Sequence, residues 1–410
     1  MRHTKTVGVI SEDEVSGLTL IAEPVGVVCG ITPTTNPTST TIFKSLIALK
    51  TRNPIVFAFH PSAQESSKHA AQVVYDAAVA AGAPKHCIQW IEKPSMEATQ
   101  ALMNHDGVAT ILATGGNAMV RAAYSCGKPA LGVGAGNVPA YVEKSADIRQ
   151  AAHDIVMSKS FDNGMVCASE QAVIIDKEIY DAFVNEFKSY KVYFVNEKEK
   201  AQLEEFCFGV KADSKNCALG KLNADIVGRP AVWIAAQAGF TVPPDTNILA
   251  AEVKEVGEKE PLTREKLSPV IAVLKAENHA DGIKKARQMV EFNGLGHSAA
   301  IHSKNAELVK QFGTAVKAIR VIWNSPSTFG DIGDVYNAFL PSLTLGCGSY
   351  GHNSVGDNVS AINLLNIKKN WPPEKQYAVV QSTAQNLFRT RCGAIPAKNE
   401  KHQQGDDCHR

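Results

Sequence analysis

The chain has 410 residues, 44% of them hydrophobic and 20% charged, and a net charge of +1. That length and apolar content allow a large core shared between two or three domains. The near-zero charge gives no electrostatic reason to expect nucleic acid or an acidic membrane as partner.

The opening residues 1–5 are polar, no apolar run reaches the roughly 18 residues that span a bilayer, and no signal-like stretch is present; the expectation is a soluble cytoplasmic protein with no membrane partner. Nine cysteines, an odd number without a Cys-x-x-Cys pair or a His cluster at ligand spacing, argue against a disulfide framework and against a structural metal site.

In chain order, β-rich apolar runs at 26–29, 55–59, 88–91, 109–112 and 130–133 alternate with helical stretches at 39–50 and 66–81. Such alternation predicts βαβ units and a parallel sheet covered by helices on both faces. A second series starts with the strand 171–175, runs through the helix 177–188 and resumes at 269–274. No repeat or low-complexity tract interrupts either series, which predicts two interlocked α/β domains.

Ligands of such sheets sit at the turns that follow strands. Three turns stand out: 30–40, which leads small polar residues including Thr34 and Asn36 into a helix N-terminus able to hold an anion or a polarised oxygen; 113–117, with Gly115 and Gly116; and 132–137, with Gly132, Gly134 and Gly136. Glycine also collects in plain tight turns, so each cluster by itself leaves both readings open. Most intracellular cysteines are small core fillers. Cys167, within Ser-Phe-Asp-Asn-Gly-Met-Val-Cys-Ala-Ser-Glu-Gln at 160–171, has small, flexible neighbours that can present a thiol to a substrate carbonyl, and is the candidate nucleophile.

Five ordered segments carry a family resemblance: Ile-Ala-Glu-Pro-Val-Gly at 21–26, Pro-Thr-Thr-Asn-Pro-Thr-Ser-Thr at 33–40, Ser-Lys-Ser-Phe-Asp-Asn-Gly at 158–164, Arg-Glu-Lys-Leu-Ser-Pro at 264–269 and Ser-Leu-Thr-Leu-Gly-Cys-Gly-Ser at 342–349. From about Lys5 to Lys368 the chain resembles the aldehyde dehydrogenase superfamily and, within it, the CoA-acylating acetaldehyde dehydrogenase half of the bifunctional aldehyde-alcohol dehydrogenases. The resemblance implies an α/β fold with a Rossmann-type parallel-sheet cofactor domain at 1–140, a catalytic α/β domain carrying the nucleophilic Cys at 141–345, and a return segment at 346–369. It implies Cys167 as the nucleophile and Asn36 as the oxyanion-holding amide, the types that thiolate addition to an aldehyde requires. It also implies Glu265 at the nicotinamide ribose, His297 as a proton-transfer group, and Thr34, His60, Gly115, Gly116 and Gly134 around an NAD cofactor. Competing readings are a helix cap for Asn36, whose next residue Pro37 suits a first helical position, a surface carboxylate paired with Lys266 or Arg264 for Glu265, and a solvated loop residue for His297.

Departures from the wider superfamily are informative. Hydrolytic relatives carry a glutamate in the segment matching 132–137, where it activates water; Gly-Val-Gly-Ala-Gly-Asn here has no carboxylate. The resemblance then names the thiol of coenzyme A as the group that removes the acyl chain, with an acyl-CoA as product. After the strand at 55–59, His60 and Ala63 stand where those relatives place a lysine and a glutamate. Gly115 and Gly116 belong to no complete dinucleotide fingerprint, since Val120 takes the last glycine position, so the expectation is a modified approach of the cofactor.

From Asn370 onward helical and strand periods cease. Codons exist for this tail whose displaced frame spells a continuation like that of the family, which gives the expectation that 370–410 is a frameshifted, disordered end of a bifunctional gene, testable by sequencing the DNA near codon 369. The resemblance also implies about a hundred residues ahead of Lys5, the size of a domain, and a homo-oligomer for the intact protein. Two function classes follow: an active CoA-acylating aldehyde oxidoreductase, or an inactive or regulatory remnant. A thiol hydrolase would need a His base on Cys167 and no nicotinamide site.

Overall fold

The computed structural model describes residues 3–209 and 220–371. Its first part runs β1 (Gly8–Asp13), β2 (Leu18–Pro24), β3 (Val27–Ile31), α1 (Pro37–Lys50), β4 (Ile55–Ala58), α2 (Gln64–Ala80), β5 (Ile88–Trp90), α3 (Met96–Asn104), β6 (Val108–Thr114), α4 (Asn117–Tyr124) and β7 (Ala130–Val133). Then come β8 (Val138–Val142), α5 (Ile148–Ser160), β9 (Glu170–Asp176), α6 (Tyr180–Ser189), β10 (Val192–Phe194), α7 (Glu197–Phe208), α8 (Ala231–Ala238) and β11 (Ile248–Glu252). The last are β12 (Val270–Ala276), α9 (His279–Asn293), β13 (Gly296–His302), α10 (Ala306–Ala315), β14 (Ala318–Trp323), α11 (Ser327–Ile332) and β15 (Leu365–Asn370). The runs predicted from sequence all fall on elements of the expected type, with ends moved by at most three residues.

The described residues divide into two compact units, one within 3–23 and 366–371, the other within 24–365. In the first, β1 pairs antiparallel with β2 in a three-stranded sheet whose third strand is β15. Lys368 bridges Glu23 at 2.7 Å, and the Trp371 indole N–H donates to the Ser16 carbonyl at 2.9 Å. Asn370 closes β15 and Trp371 is hydrogen-bonded beside it, so the expected disorder does not begin at 370; the rest of the expected frameshifted tail, 372–410, lies outside the described residues.

The larger unit holds two parallel sheets. The five-stranded sheet has the order β5-β4-β3-β6-β7, the seven-stranded sheet the order β10-β11-β12-β9-β8-β13-β14. Both are wound with helices on two faces, and their central strands are accordingly enclosed: every residue of β8, β9 and β13 is buried. Alternation along β9 sends Val173 and Ile175 to the face covered by α5 and α6, with Ile155 and Phe183, and Ala172 and Ile174 to the face covered by α9 and α10, with Met289 and Phe312. In the smaller sheet Val28, Phe57 and Leu112 meet α1 and α2 through Ile47 and Ala71, while Cys29, Ile111 and Ala113 meet α3 and α4 through Met103 and Ala123.

Strand order decides where a ligand can sit. From β3 the chain moves outward through β4 to β5, then returns to the other side of β3 for β6 and β7, so the loops leaving β3 and β6 diverge and open a crevice. The fully buried Lys44 of α1 ties these two strands together, donating its ammonium protons to the carbonyls of Ile31 at 2.5 Å and Leu112 at 2.8 Å. Among the described residues no helix is long and apolar enough to cross a membrane, and no group of three or more His, Cys, Asp or Glu side chains is placed to hold a metal ion.

Candidate active site

A cavity of about 520 Å³ occupies that crevice. Thr34, Thr35, His60, Gly115 and Gly116 line it from the five-stranded sheet; Cys167, Glu265 and Leu267 line it from the seven-stranded one, with Gly134 between them. Seven of the nine candidate residues thus share one cavity. Asn36 and His297 do not line it.

Cys167 is delivered by an abrupt stop of α5. Asp162 and Asn163 (φ 50°) and Gly164 (φ 68°) are left-handed in succession, a conformation that costs about 1–2 kcal/mol per non-glycine residue. Asn163 is held by donating its carboxamide N–H to the Gly228 carbonyl at 2.9 Å. A Cβ on Gly164 would stand 2.5 Å from the Ser268 carbonyl oxygen, so only glycine fits this corner. The thiol is half-buried at the cavity wall. Burial pushes its pKa far up, Glu265, Asp331 and Cys347 add to the rise, and Arg320 opposes it. Before substrate binds, the sulfur is therefore held as a thiol and needs a proton acceptor or a charge-stabilising partner to become a nucleophile.

Gly136 joins the key groups. Its N–H donates to Glu265 Oε1 at 3.1 Å, and a Cβ there would stand 2.4 Å from the Cys167 carbonyl oxygen and 3.2 Å from the His297 ring. Burial raises the Glu265 carboxyl to about 7 against that N–H, Lys159 and Lys266. Lys159, itself fully buried, is lowered by burial to about 7 despite Glu170 and Glu265. Glu265 is no surface carboxylate paired with its neighbours: Lys266 is fully buried and donates to the carbonyls of Gln171, Leu262 and Arg264, and Arg264 donates to Gly220 O at 2.5 Å.

His297 is fully enclosed rather than solvated. Its Nδ1 meets Ser298 Oγ at 2.8 Å, while Nε2 has no partner. Burial and then the Arg320 charge lower its pKa to about 3, so at neutral pH the ring is uncharged, and in this enclosed state it is a weaker base than a solvated imidazole. Asn36 stands at the cap position of α1, with Pro37 behind it, yet its side chain makes no capping hydrogen bond; its carboxamide oxygen accepts from the Thr35 hydroxyl at 3.1 Å. The helix-cap reading therefore fails on geometry, and its NH₂ group has no protein acceptor among the described residues.

The glycines differ in cause. A Cβ on Gly116 would meet nothing within 4 Å; no packing demand explains it, and the open α4 N-terminus beside it suits a phosphate. Gly134 is demanded by protein packing, since a Cβ would lie 2.5 Å from Asn117 Oδ1, which accepts from the Ala135 N–H at 3.1 Å. His60 accepts from the Ser62 N–H through Nδ1 at 3.3 Å, which leaves Nε2 to face outward as a donor when the ring is neutral; partial burial lowers its pKa. Lys159, Arg320 and Asp331 were not legible as site residues, because their effect comes from burial, which no short sequence pattern reports.

A profile of the aldehyde dehydrogenase family matches residues 2–203. A solved acetylating aldehyde dehydrogenase from Geobacillus thermoglucosidasius is 45% identical, covers 90% of this chain and 80% of its own, and superposes with a TM-score of 0.86. The chain belongs to the aldehyde dehydrogenase family. Its α/β architecture is the aldehyde dehydrogenase-like fold. The aldehyde-alcohol dehydrogenase of Streptococcus pneumoniae serotype 4 is 86% identical over 369 residues, which are 90% of this chain and 42% of that protein; the chain spans less than half the length of this aldehyde dehydrogenase relative. A propionaldehyde dehydrogenase of Rhodopseudomonas palustris, solved with bound CoA and an acylated cysteine, is 29% identical, covers 87% of this chain and 77% of its own, and has a TM-score of 0.77.

Proposed function

We propose that this chain is a CoA-acylating aldehyde dehydrogenase, converting acetaldehyde, CoA and NAD reversibly to acetyl-CoA and NADH through a thioester on Cys167. The observation that carries the reading is the half-buried Cys167 in one cavity with Glu265 and the open Gly115–Gly116 turn, while the 132–137 segment holds no carboxylate to activate water. Support comes also from the acetylating and CoA-bound relatives.

The Cys167 sulfur, once deprotonated, adds to the aldehyde carbon, and the carbonyl oxygen becomes an alkoxide. The free NH₂ of Asn36 is the proposed donor to that oxygen, a kind of contact worth about 10²–10³ in rate. Bound nicotinamide supplies the acceptor for the hydride that leaves as the thioester forms. CoA thiolate then attacks the thioester carbon and Cys167 departs as thiolate, which takes up the proton lost by the CoA thiol, so the free enzyme is regenerated. His297, neutral and with Nε2 unpartnered, is the proposed acceptor of the CoA thiol proton. Glu265 is the proposed ribose ligand, with Thr34, His60, Gly115, Gly116 and Gly134 around the dinucleotide; its cradle fits, since a Cβ at Gly116 meets only open space. Residues 1–140 are read as the nicotinamide-binding part, 141–345 as the catalytic part and 346–369 as the return segment; in support, the five-stranded sheet lies within 27–133 and the seven-stranded sheet within 138–323. A cytoplasmic homo-oligomer is the proposed setting.

Glu265 motivates a second reading, because it is the one carboxylate lining the cavity: a base that lets water finish the cycle. Purified protein supplied with acetaldehyde and NAD separates them. Sustained NADH formation that requires CoA, with an acetylated Cys167 accumulating in its absence, is expected; equal turnover without CoA overturns the acylating reading.

A further inference from the structure

Behind the cavity wall lies a buried polar chain that the proposed chemistry does not use. β13 and β14 pair in parallel with Ser298 opposite Arg320, so the two side chains lie on one face of the sheet. Arg320 spends its terminal nitrogens on carbonyls: Nη1 donates to Gly346 at 2.8 Å, and Nη2 to His297 at 2.9 Å and Leu345 at 3.2 Å. Its Nε is left toward Asp331 Oδ1, 3.8 Å away, with both side chains enclosed. In this structure the Ser298 hydroxyl meets His297 Nδ1 at 2.8 Å. Asp331 has no hydrogen bond on either oxygen, although Ser298 is near enough for its hydroxyl to favour the charged carboxyl.

We infer that Asp331, acting through the Ser298 hydroxyl, fixes the proton of His297 on Nδ1 and so keeps the Nε2 lone pair free for the thiol of CoA. The inference rests on the reading of His297 as the base for that thiol. A hydroxyl has one proton to give. A fully buried carboxylate whose oxygens accept no hydrogen bond costs about 1–3 kcal/mol or more, a larger demand than that of a neutral imidazole nitrogen, so the Ser298 proton goes to Asp331. The Ser298 oxygen can then only accept, which requires a proton on His297 Nδ1. With Ser298 turned the other way, the imidazole proton sits on Nε2 and the base is blocked. Arg320 reinforces the arrangement: it favours the charged form of Asp331 against the burial that raises its carboxyl, and it pins the His297 carbonyl, and with it the start of β13. Asp331 and Ser298 are positioning residues; neither lines the cavity.

The test is ¹⁵N NMR of protein labelled only at histidine, with the His297 signals assigned by their loss in His297→Asn, alongside separate rates for acyl-enzyme formation and for its discharge to CoA. Native protein should show the Nδ1–H tautomer. Ser298→Ala, which keeps the Arg320–Asp331 pair, should move it toward Nε2–H and slow discharge to CoA about tenfold, more than it slows acylation; Ser298→Thr should restore both. Asp331→Asn should give the same tautomer change where it folds. An Nε2–H tautomer in native protein, or a tautomer unmoved by Ser298→Ala, overturns the inference. A shifted tautomer with undiminished discharge upholds the relay and removes His297 from the reaction.

Discussion

The two walls of the cavity are built on different physical principles. The wall from the five-stranded sheet offers Thr34, Thr35, Gly115, Gly116 and an exposed His60: small neutral groups and backbone, shaped by the divergence of β3 and β6. The wall from the seven-stranded sheet carries the half-buried Glu265 and is backed by the buried side chains of Lys159, Glu170, Lys266, Arg320 and Asp331. Recognition on the first wall depends on space and amide dipoles and tolerates side-chain change. Chemistry on the second depends on desolvated charges, whose protonation equilibria are drawn toward neutrality by their surroundings. A substitution should therefore act on ligand affinity when placed in one wall and on rate when placed in the other.

The largest expected effect is on the second wall. Cys167→Ala should remove aldehyde-dependent NADH formation by at least about 10³-fold while nucleotide binding, followed by fluorescence titration, stays within about twofold; retained turnover would break the assignment of the nucleophile. Next comes Gly136→Ala, whose Cβ would stand 2.4 Å from the Cys167 carbonyl oxygen. A displacement of the thiol by even ~1 Å should lower kcat about 10²-fold, and stopped-flow measurement of the acylation burst checks it. Glu265→Gln sharpens the contrast, since this residue of the second wall is the proposed ligand of the nucleotide that the first wall would hold. As a ribose ligand it should raise KM for NAD about tenfold or more, the worth of a hydrogen bond to a charged group, with CoA dependence intact. Loss of CoA-independent hydrolysis instead would favour the water-activating role.

A smaller effect concerns stability. Glu170, Glu265 and Asp331 are raised by burial to about 7 from an ordinary value of 4.5 or 3.8, so above the ordinary value the native state holds protons that the unfolded chain has lost, and stability falls as pH rises to about 7. Lys44 and Lys159 are lowered by burial to about 7 from 10.5; above 7 the unfolded chain binds more protons than the native one, and stability climbs toward 10.5. Melting temperature against pH should pass through a shallow minimum near 7. Glu265→Gln should flatten its acidic limb by a few degrees, an amount set by about 4 °C or less per kcal/mol for a chain above ~150 residues; an unchanged limb would show that Glu265 is better solvated than its position implies.

Local pattern in the sequence sufficed for the element types: 130–133 and 55–59 read as strands, 39–50 and 66–81 as helices, because apolar periodicity and the Gly and Pro punctuation act over a few residues. Cys167 was legible from its small, flexible neighbours at 160–171, and the match of 158–164 and 264–269 to one family made Glu265 legible too. Pairing of β9 with β8 and β12, the switch point at β3 and β6, and the gathering of Cys167, Glu265 and Gly116 around one cavity depended on contacts between residues far apart in the chain. The same holds for the charges. Nothing adjacent to Lys159 or Asp331 in the sequence announces that each is enclosed, and His297 after a glycine turn reads as a loop residue until β14 and the Leu345–Gly346 segment close over it. Chain pattern fixes which groups are available, whereas desolvation, which sets whether they are charged and what they can do, is a property of the assembled fold.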